Sequence, residues 1–271
     1  MLPVFERLAD VRSRALTMSR IADILYARGE YDEALRIRRE EELPVYEHLA
    51  DDRWCAFTLG KIADILQARG EYDEALRIRR EEQLPVYERL ADVRERAVTL
   101  GKIADILHAR GEYDKALRIR REEELPVYER LADVRSRALT LGKIADILQA
   151  RGEYDEALRI HREEMLPVFE RLADVRSRAL TMSRIADILQ VRGEYDEALR
   201  IRREEELPVY EQLAPTYDWV LLTRAKITAM LCRYGRLTEA RAIYDTEVVS
   251  ELDKSTDPRC SHVSMTSAPI C

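Results

Sequence analysis

The chain has 271 residues, of which 46% are apolar and 36% are charged, with nine glycines, nine prolines and a formal net charge of −7. This composition is typical of a helix-rich globular protein, and its apolar fraction excludes a generally disordered chain. The acidic balance argues against nucleic acid as a partner, because binding phosphates needs a dominant basic face.

The sequence also lacks the signals of secretion, membrane insertion and catalysis. Its start, MLPVFERLAD, has no basic stretch followed by an apolar one, and apolar runs such as residues 219–222 are far too short to cross a membrane. The four cysteines follow no metal-ligand spacing, and there is neither a phosphate-binding glycine loop nor a nucleophile elbow. We therefore expect a cytoplasmic, non-enzymatic protein with reduced thiols, no cofactor, no metal and no membrane partner.

Five glycines reveal an internal repeat. They lie 41 residues apart, at Gly29, Gly70, Gly111, Gly152 and Gly193. Residues 62–102 and 103–143 differ at only five positions. We predict a partial second helix at 1–9, five near-identical units at 10–214, a divergent capping unit at 215–252 and a disordered tail at 253–271.

The first helix of each unit is typified by residues 133–152. Asp133 suits the N-cap, apolar residues recur at helical spacing from Ala138 to Leu148, and Gly152 marks the end. This pattern predicts an amphipathic helix that ends at a glycine.

The second helix is typified by residues 153–173, which open with acidic residues that favour a helix N-terminus and place Tyr154 and Leu158 inward. A Leu-Pro-Val triplet interrupts this helix once per unit, as at Pro126, although proline costs about 3 kcal/mol inside a helix. Two interpretations are open: a continuous helix kinked at the proline, or a break at which the proline opens a new segment. The charged run RIRREEE before the proline predicts a solvated face.

The stacking of the units follows from their size. Neither helix can bury its apolar side within one 41-residue hairpin, so neighbouring hairpins must cover it. The period therefore predicts an elongated all-α solenoid of about six helical hairpins, with first helices along one side and second helices along the other.

The run IADILQARGEYDEAL, residues 62–76, resembles the tetratricopeptide repeat. Four residues fit the small residue, turning glycine, wedging aromatic and crossing alanine of that family: Ala63, Gly70, Tyr72 and Ala75. The family's Leu-Gly pair is Ile-Ala here, and the 41-residue unit exceeds the common 34 residues. In its longer unit the chain resembles the arrays of maltose-activator-type regulators and kinesin light chains. The resemblance implies a right-handed α–α superhelix whose concave groove holds peptides or proteins.

The resemblance places this groove on the first helices, where charged residues recur once per unit. The aspartates are Asp23, Asp64, Asp105, Asp146 and Asp187. The basic residues three positions earlier are Arg20, Lys61, Lys102, Lys143 and Arg184. The aspartates form either a ladder that accepts hydrogen bonds from a partner or a solvated stripe that these basic neighbours neutralise.

Other positions on the first helices also have two interpretations. The units differ three residues after each aspartate, at Tyr26, Gln67, His108, Gln149 and Gln190. This variation fits either diversified binding or neutral drift. Trp54 is either a binding anchor or a locally repacked residue, and one small residue per unit, such as Gly101, leaves room for a close helix contact or for a ligand.

These features predict a scaffold that binds a protein or peptide along the groove of its first helices. One alternative is self-assembly into homo-oligomers, because no capping unit precedes residues 1–9 and the amino-terminal face is left uncovered. Another is that the chain is the sensor portion of a longer signalling regulator.

Overall fold

The computed structural model describes residues 11–213 and 217–245, and this part of the chain contains helices and no strand. Units 1 to 3 comprise α1 (Val11–Ala27), α2 (Tyr31–Arg36, Ile37–Glu42 and Leu43–His48), α3 (Asp52–Ala68), α4 (Tyr72–Arg77, Ile78–Gln83 and Leu84–Arg89), α5 (Val93–Ala109) and α6 (Tyr113–Arg118, Ile119–Glu124 and Leu125–Arg130). Units 4 to 6 comprise α7 (Val134–Ala150), α8 (Tyr154–Arg159, Ile160–Met165 and Leu166–Arg171), α9 (Val175–Arg192), α10 (Tyr195–Arg200, Ile201–Glu206 and Leu207–Leu213), α11 (Tyr217–Arg233) and α12 (Leu237–Ile243). Odd-numbered helices are the first helices of their units.

The even-numbered helices from α2 to α10 each pass through a π-helical turn, which is the middle one of their three segments. In α6 the amide of Leu125 donates to the carbonyl of Arg120, five residues back, and the backbone keeps right-handed helical angles at Leu125. Pro126 follows directly. The wider turn accommodates the proline, which has no amide and whose ring would clash with the carbonyl four residues back in an α-helix. The second helix is therefore continuous through the proline.

The ends of the helices follow the sequence signals. The side chain of Asp133 accepts a hydrogen bond from the Ser136 amide at 3.0 Å, as expected of an N-cap. Gly193 ends α9 in the left-handed region, with φ of 82°. The second helices instead end at alanines with φ of 50° to 51°, namely Ala50, Ala91, Ala132 and Ala173.

The core lies between the two helices of each unit and the neighbouring units. In unit 3, α5 buries Ile103, Ala104 and Leu107, and α6 buries Ala116 and Leu117. The described residues up to Ile147 form one compact part, in which each second helix packs on the first helix of the next unit, from α2 on α3 to α4 on α5. The described residues from Leu148 onward form the other, in which α8 packs on α9 and α10 packs on α11.

The predicted all-α array of helical hairpins is confirmed. The predictions for residues 1–9 and 253–271, including the uncovered amino-terminal face, lie outside the described residues, as does the end of the capping unit. Among the helices of the described part, none combines the length and apolar character that crossing a membrane requires.

Candidate binding face on the first helices

The first helices carry an exposed face on which an apolar, a basic and an acidic residue share one side in units 1 to 5, whereas unit 6 has Ala229 at the acidic position. In α1 these are Leu16, Arg20 and Asp23, whose spacing of four and three residues places them on one side of a helix. The apolar member recurs in every described unit and is 36% to 50% exposed. This apolar row consists of Leu16, Phe57, Val98, Leu139, Leu180 and Leu222. We call the side with these three residues per unit the first-helix face.

The apolar row was not among the residues predicted from the sequence. The sequence does show the spacing of this row, because an apolar residue lies seven positions before each predicted aspartate. Helical periodicity alone assigns such a residue to the margin of the buried side, so exposure could not be read from the pattern.

The aspartates of the first-helix face bind an arginine from the second helix of their own unit. Arg38 Nη2 donates to Asp23 Oδ1 at 2.6 Å, and Arg120 Nη2 donates to Asp105 Oδ1 at 2.6 Å. The same contact joins Arg79 to Asp64 and Arg202 to Asp187. These aspartates are therefore partners of a buried guanidinium.

A basic residue of the next unit binds the same carboxylates. Lys61 Nζ lies 3.2 Å from Asp23 Oδ1, and Lys102 Nζ lies 3.1 Å from Asp64 Oδ1. Lys143 Nζ lies 3.8 Å from the Asp105 carboxylate. Neutralisation thus comes from the second helix and the next unit, whereas the sequence interpretation assigned it to the basic residue three positions earlier.

Each of these carboxylates keeps one oxygen for a further donor. Among the described residues, none donates a hydrogen bond to Oδ2 of Asp23, Asp64 or Asp105. The Asp23 side chain is 50% exposed, and the other two are 29% exposed. The first-helix face therefore offers a carboxylate oxygen in each of the first three units.

The arginines belong to a buried network in the π-helical turns. The Arg38 side chain is 1% exposed and donates to Glu42, which is fully buried, at 2.5 Å, while a second bond reaches Ser19 at 2.6 Å. Arg120 and Glu124 repeat the pair at 2.5 Å. The prediction that RIRREEE forms a solvated face is therefore wrong for these positions, which turn inward.

The buried carboxylates receive a second hydrogen bond from the following unit. Thr58 Oγ1 donates to Glu42 Oε1 at 3.1 Å, and Thr140 Oγ1 donates to Glu124 Oε1 at 3.0 Å. Burial raises the pKa of the Glu124 carboxyl, against the opposing effects of Arg120 and Thr140. The carboxylate is held by its own unit and by the next one.

The small residue of each first helix makes room for this network. A Cβ on Gly101 would lie 2.8 Å from Glu124 Oε1 and 2.9 Å from Arg120 Nη1, closer than such atoms can approach. A Cβ on Gly60 would lie 2.3 Å from the amide nitrogen of Gln83. The space next to these glycines is filled by the chain's own polar side chains rather than by a ligand.

Two units change the network. In unit 2, Gln83 replaces the glutamate and accepts a hydrogen bond from Arg79 at 3.0 Å. Burial lowers the pKa of the Arg79 guanidinium, and Asp64 opposes that effect. In unit 4, the arginine and glutamate are replaced together by the buried residues His161 and Met165.

The variable positions remain separate, one in each unit. Tyr26 lies 5.6 Å from Tyr31 between ring centroids, and His108 lies 5.6 Å from Tyr113, so each contacts the wedging tyrosine of its own unit. Gln67, Gln149 and Gln190 are half-buried, while Arg20 and Arg184 are exposed and Asp146 is half-buried. The aromatic contacts of Tyr26 and His108 therefore stay within their own units.

The aromatic segment of unit 2 packs against the hairpin. Trp54 stacks on the buried ring of Tyr46 at 5.3 Å and contacts Phe57 edge-on at 5.3 Å. This geometry favours local repacking over an exposed binding anchor. Lys61 Nζ lies 5.5 Å from the centre of the Phe57 ring, so the aromatic member of the apolar row also contacts the basic row.

Models of the tetratricopeptide repeat family match the chain at residues 14–40, 63–81, 104–122 and 140–176. The repeats are tetratricopeptide repeats. The array of these repeats explains the small, turning, wedging and crossing residues that the sequence shows in each unit. No curated protein sequence is significantly similar to the chain.

Several solved structures share this fold. BtubC from P. vanneervenii is 17% identical with a TM-score of 0.66, and the match covers 96% of this chain and 97% of that one. The nearly identical TPR-like repeats of a kinesin-light-chain-type protein from Podosopora anserina are 16% identical with a TM-score of 0.62, covering 76% of this chain and 98% of that one. A Rap protein in complex with competence and sporulation factor is 15% identical with a TM-score of 0.58, covering 92% and 79%. Identities this low show a shared fold.

Proposed function

We propose that this tetratricopeptide-repeat chain is a non-enzymatic scaffold that binds a protein or peptide on the first-helix face. The observation that carries the proposal is the apolar row, which leaves one apolar side chain per unit 36% to 50% exposed on the same side as the charged rows. Isolated exposed apolar residues are common, but a periodic row of them within one compact part of the chain offers a series of contacts to one extended partner.

The charged rows indicate what kind of segment fits. In units 1 to 3, the aspartate of the first-helix face pairs with the basic residue of the next unit. A strongly charged partner therefore finds little unpaired charge of opposite sign. The Oδ2 atoms of Asp23, Asp64 and Asp105 accept no hydrogen bond from the described residues. An apolar segment with free backbone amides fits this face, because its side chains cover the apolar row and its amides donate hydrogen bonds to these carboxylate oxygens.

A role in catalysis is not supported by this arrangement. The carboxylates stand one per unit and are occupied by arginine and lysine, whereas general acid–base chemistry needs two groups at one bond. The Rap protein with the shared fold was solved in complex with competence and sporulation factor. That complex supports a binding role for arrays of this fold.

The test uses two matched pairs of exposed apolar residues. Peptides are selected from a random library against the full chain, and their affinities are measured by fluorescence anisotropy. Replacing Val98 and Leu139, which are 39% and 50% exposed, by glutamate should weaken binding at least about tenfold, because a charge replaces an apolar contact.

The control replaces Leu90 and Leu131, which are 39% and 46% exposed at the ends of the second helices, by glutamate. We expect the affinity of this control to match that of the unmodified chain. Equal affinities for the two double variants, or a library that returns no peptide, would contradict the proposal.

A further inference from the structure

The threonine of each first helix has one of two hydrogen-bond partners, depending on the unit before it. Where that unit has a buried glutamate, the hydroxyl donates to it, as Thr58 does to Glu42 and Thr140 does to Glu124. Thr223 and Glu206 form the same bond at 3.0 Å.

After units 2 and 4 the threonine turns back to its own helix. Thr99 Oγ1 donates to the carbonyl of Glu95 at 2.8 Å, and the preceding unit has the buried Gln83 in place of the glutamate. Thr181 Oγ1 donates to the carbonyl of Ser177 at 2.8 Å, and the preceding unit has the buried Met165 in place of the glutamate. The buried hydrogen bond between units is thus present at the interfaces 1/2, 3/4 and 5/6 and absent at 2/3 and 4/5.

Exposed contacts between units do not follow this alternation. An arginine near the start of one first helix binds the N-cap aspartate of the next unit at 2.7 Å, 2.6 Å and 2.7 Å for the interfaces 1/2, 2/3 and 3/4. An arginine at the end of a first helix binds an aspartate of the preceding unit at interface 1/2, through Arg69 and Asp32 at 2.9 Å. The equivalent pairs are Arg110 with Asp73 at interface 2/3 and Arg192 with Asp155 at interface 4/5. Exposed pairs of this kind contribute little and do not compensate for the missing buried bond.

A bond to a buried carboxylate has a larger effect. Glu124 is taken from water and is satisfied only when Arg120 and Thr140 both donate to it. Separating units 3 and 4 removes one of those donors from a buried charge, whereas separating units 2 and 3 leaves Gln83 and Thr99 bonded within their own units.

We propose that the array is built of coupled pairs of units, so that the interfaces 2/3 and 4/5 open before the others. The buried hydrogen bond from threonine to glutamate couples the two units on either side of an interface. It is absent where the preceding unit has Gln83 or Met165, and these are the two weak interfaces. The first-helix face then adjusts to a partner at these interfaces in preference to the rest.

The test is hydrogen exchange of the full chain read by mass spectrometry, since α5 and α7 differ in sequence and give distinct fragments. In the unmodified chain we expect amides of α5 to exchange faster than those of α7. Thr140→Val should accelerate exchange in α7 about tenfold or more, because it removes a hydrogen bond to a charged group. Thr99→Val is the matched control, and it should change exchange in α5 less than about twofold.

Two further variants act without creating a buried unpaired group. Thr140→Ser keeps the hydroxyl and should retain the slow exchange of α7. Gln83→Glu gives unit 2 the glutamate of unit 3 and should slow exchange in α5 about tenfold, because Thr99 gains a carboxylate partner. Equal acceleration by Thr99→Val and Thr140→Val, or no slowing in Gln83→Glu, would overturn the proposal.

Discussion

At the scale of single residues, the position of a charge along RIRREEE decides whether it is buried. Arg36 and Glu40 are exposed, while Arg38 and Glu42 are buried at the same spacing of four residues. The sequence predicted the exposed pair and missed the buried one. A regular helical period cannot separate them, because the π-helical turn adds residues to one turn and rotates the following side chains.

The N-cap of α7 predicts how the stability of the protein changes at low pH. The backbone amide of Ser136, with its hydroxyl and Arg94, holds the pKa of Asp133 below its ordinary value of 3.8. A carboxyl whose pKa is lowered by folding contributes stability above that value, and the contribution is lost as the pH falls through the folded pKa.

Asp133→Asn keeps a capping oxygen and removes the charge. We expect this variant to lose about 0.3–1 kcal/mol of unfolding free energy at pH 7, and the loss should shrink towards zero as the pH falls below about 3.8. Urea unfolding of both chains across this pH range measures the difference. A loss that stays constant with pH would show that the charge has no role in the cap.

At the scale of helices, the repeated proline is explained by the π-helical turn that precedes it. The sequence correctly indicated a helix from the flanking pattern but left open whether Pro126 kinks or breaks it. The answer depends on which carbonyl each amide reaches, and Leu125 reaches Arg120 rather than Arg121. Amino-acid composition contains no signal for that choice.

Replacing the proline tests whether it is accommodated or strained. If the π-helical turn accommodates it, Pro126→Ala should lower the unfolding free energy by about 0.4–1 kcal/mol, because the unfolded chain gains freedom. A strained proline would instead give a gain approaching about 3 kcal/mol when removed. Urea unfolding followed by circular dichroism shows whether Pro126→Ala lowers or raises the unfolding free energy. Leu139→Pro, at an exposed position within α7, serves as the control and should lose about 3 kcal/mol.

At the scale of the whole array, the period fixed the fold and the spacing of the units, while the exposed apolar row and the buried network emerged only from the structure. In unit 4 the buried network changes as a matched set. His161 and Met165 replace an arginine and a glutamate together, so unit 4 keeps neither buried charge without its partner.

A double-mutant cycle tests this matching. Met165→Glu should lower the unfolding free energy by about 2–4 kcal/mol, because it buries a charge without its usual partner. His161→Arg should lower it less, because unit 2 already holds a buried arginine opposite a neutral glutamine. The double variant recreates the pair of unit 3 and should recover most of the loss. Additive losses in urea unfolding would mean that the two positions do not act together.

The threonine at each interface has a consequence for how such a gene changes its length. A hydroxyl that bonds either to the preceding unit or to its own backbone is satisfied behind any neighbour. Recombination between copies can therefore add or delete whole 41-residue blocks without leaving this hydroxyl unsatisfied at the new interface. The threonine hydroxyl therefore places no restriction on which unit stands before it.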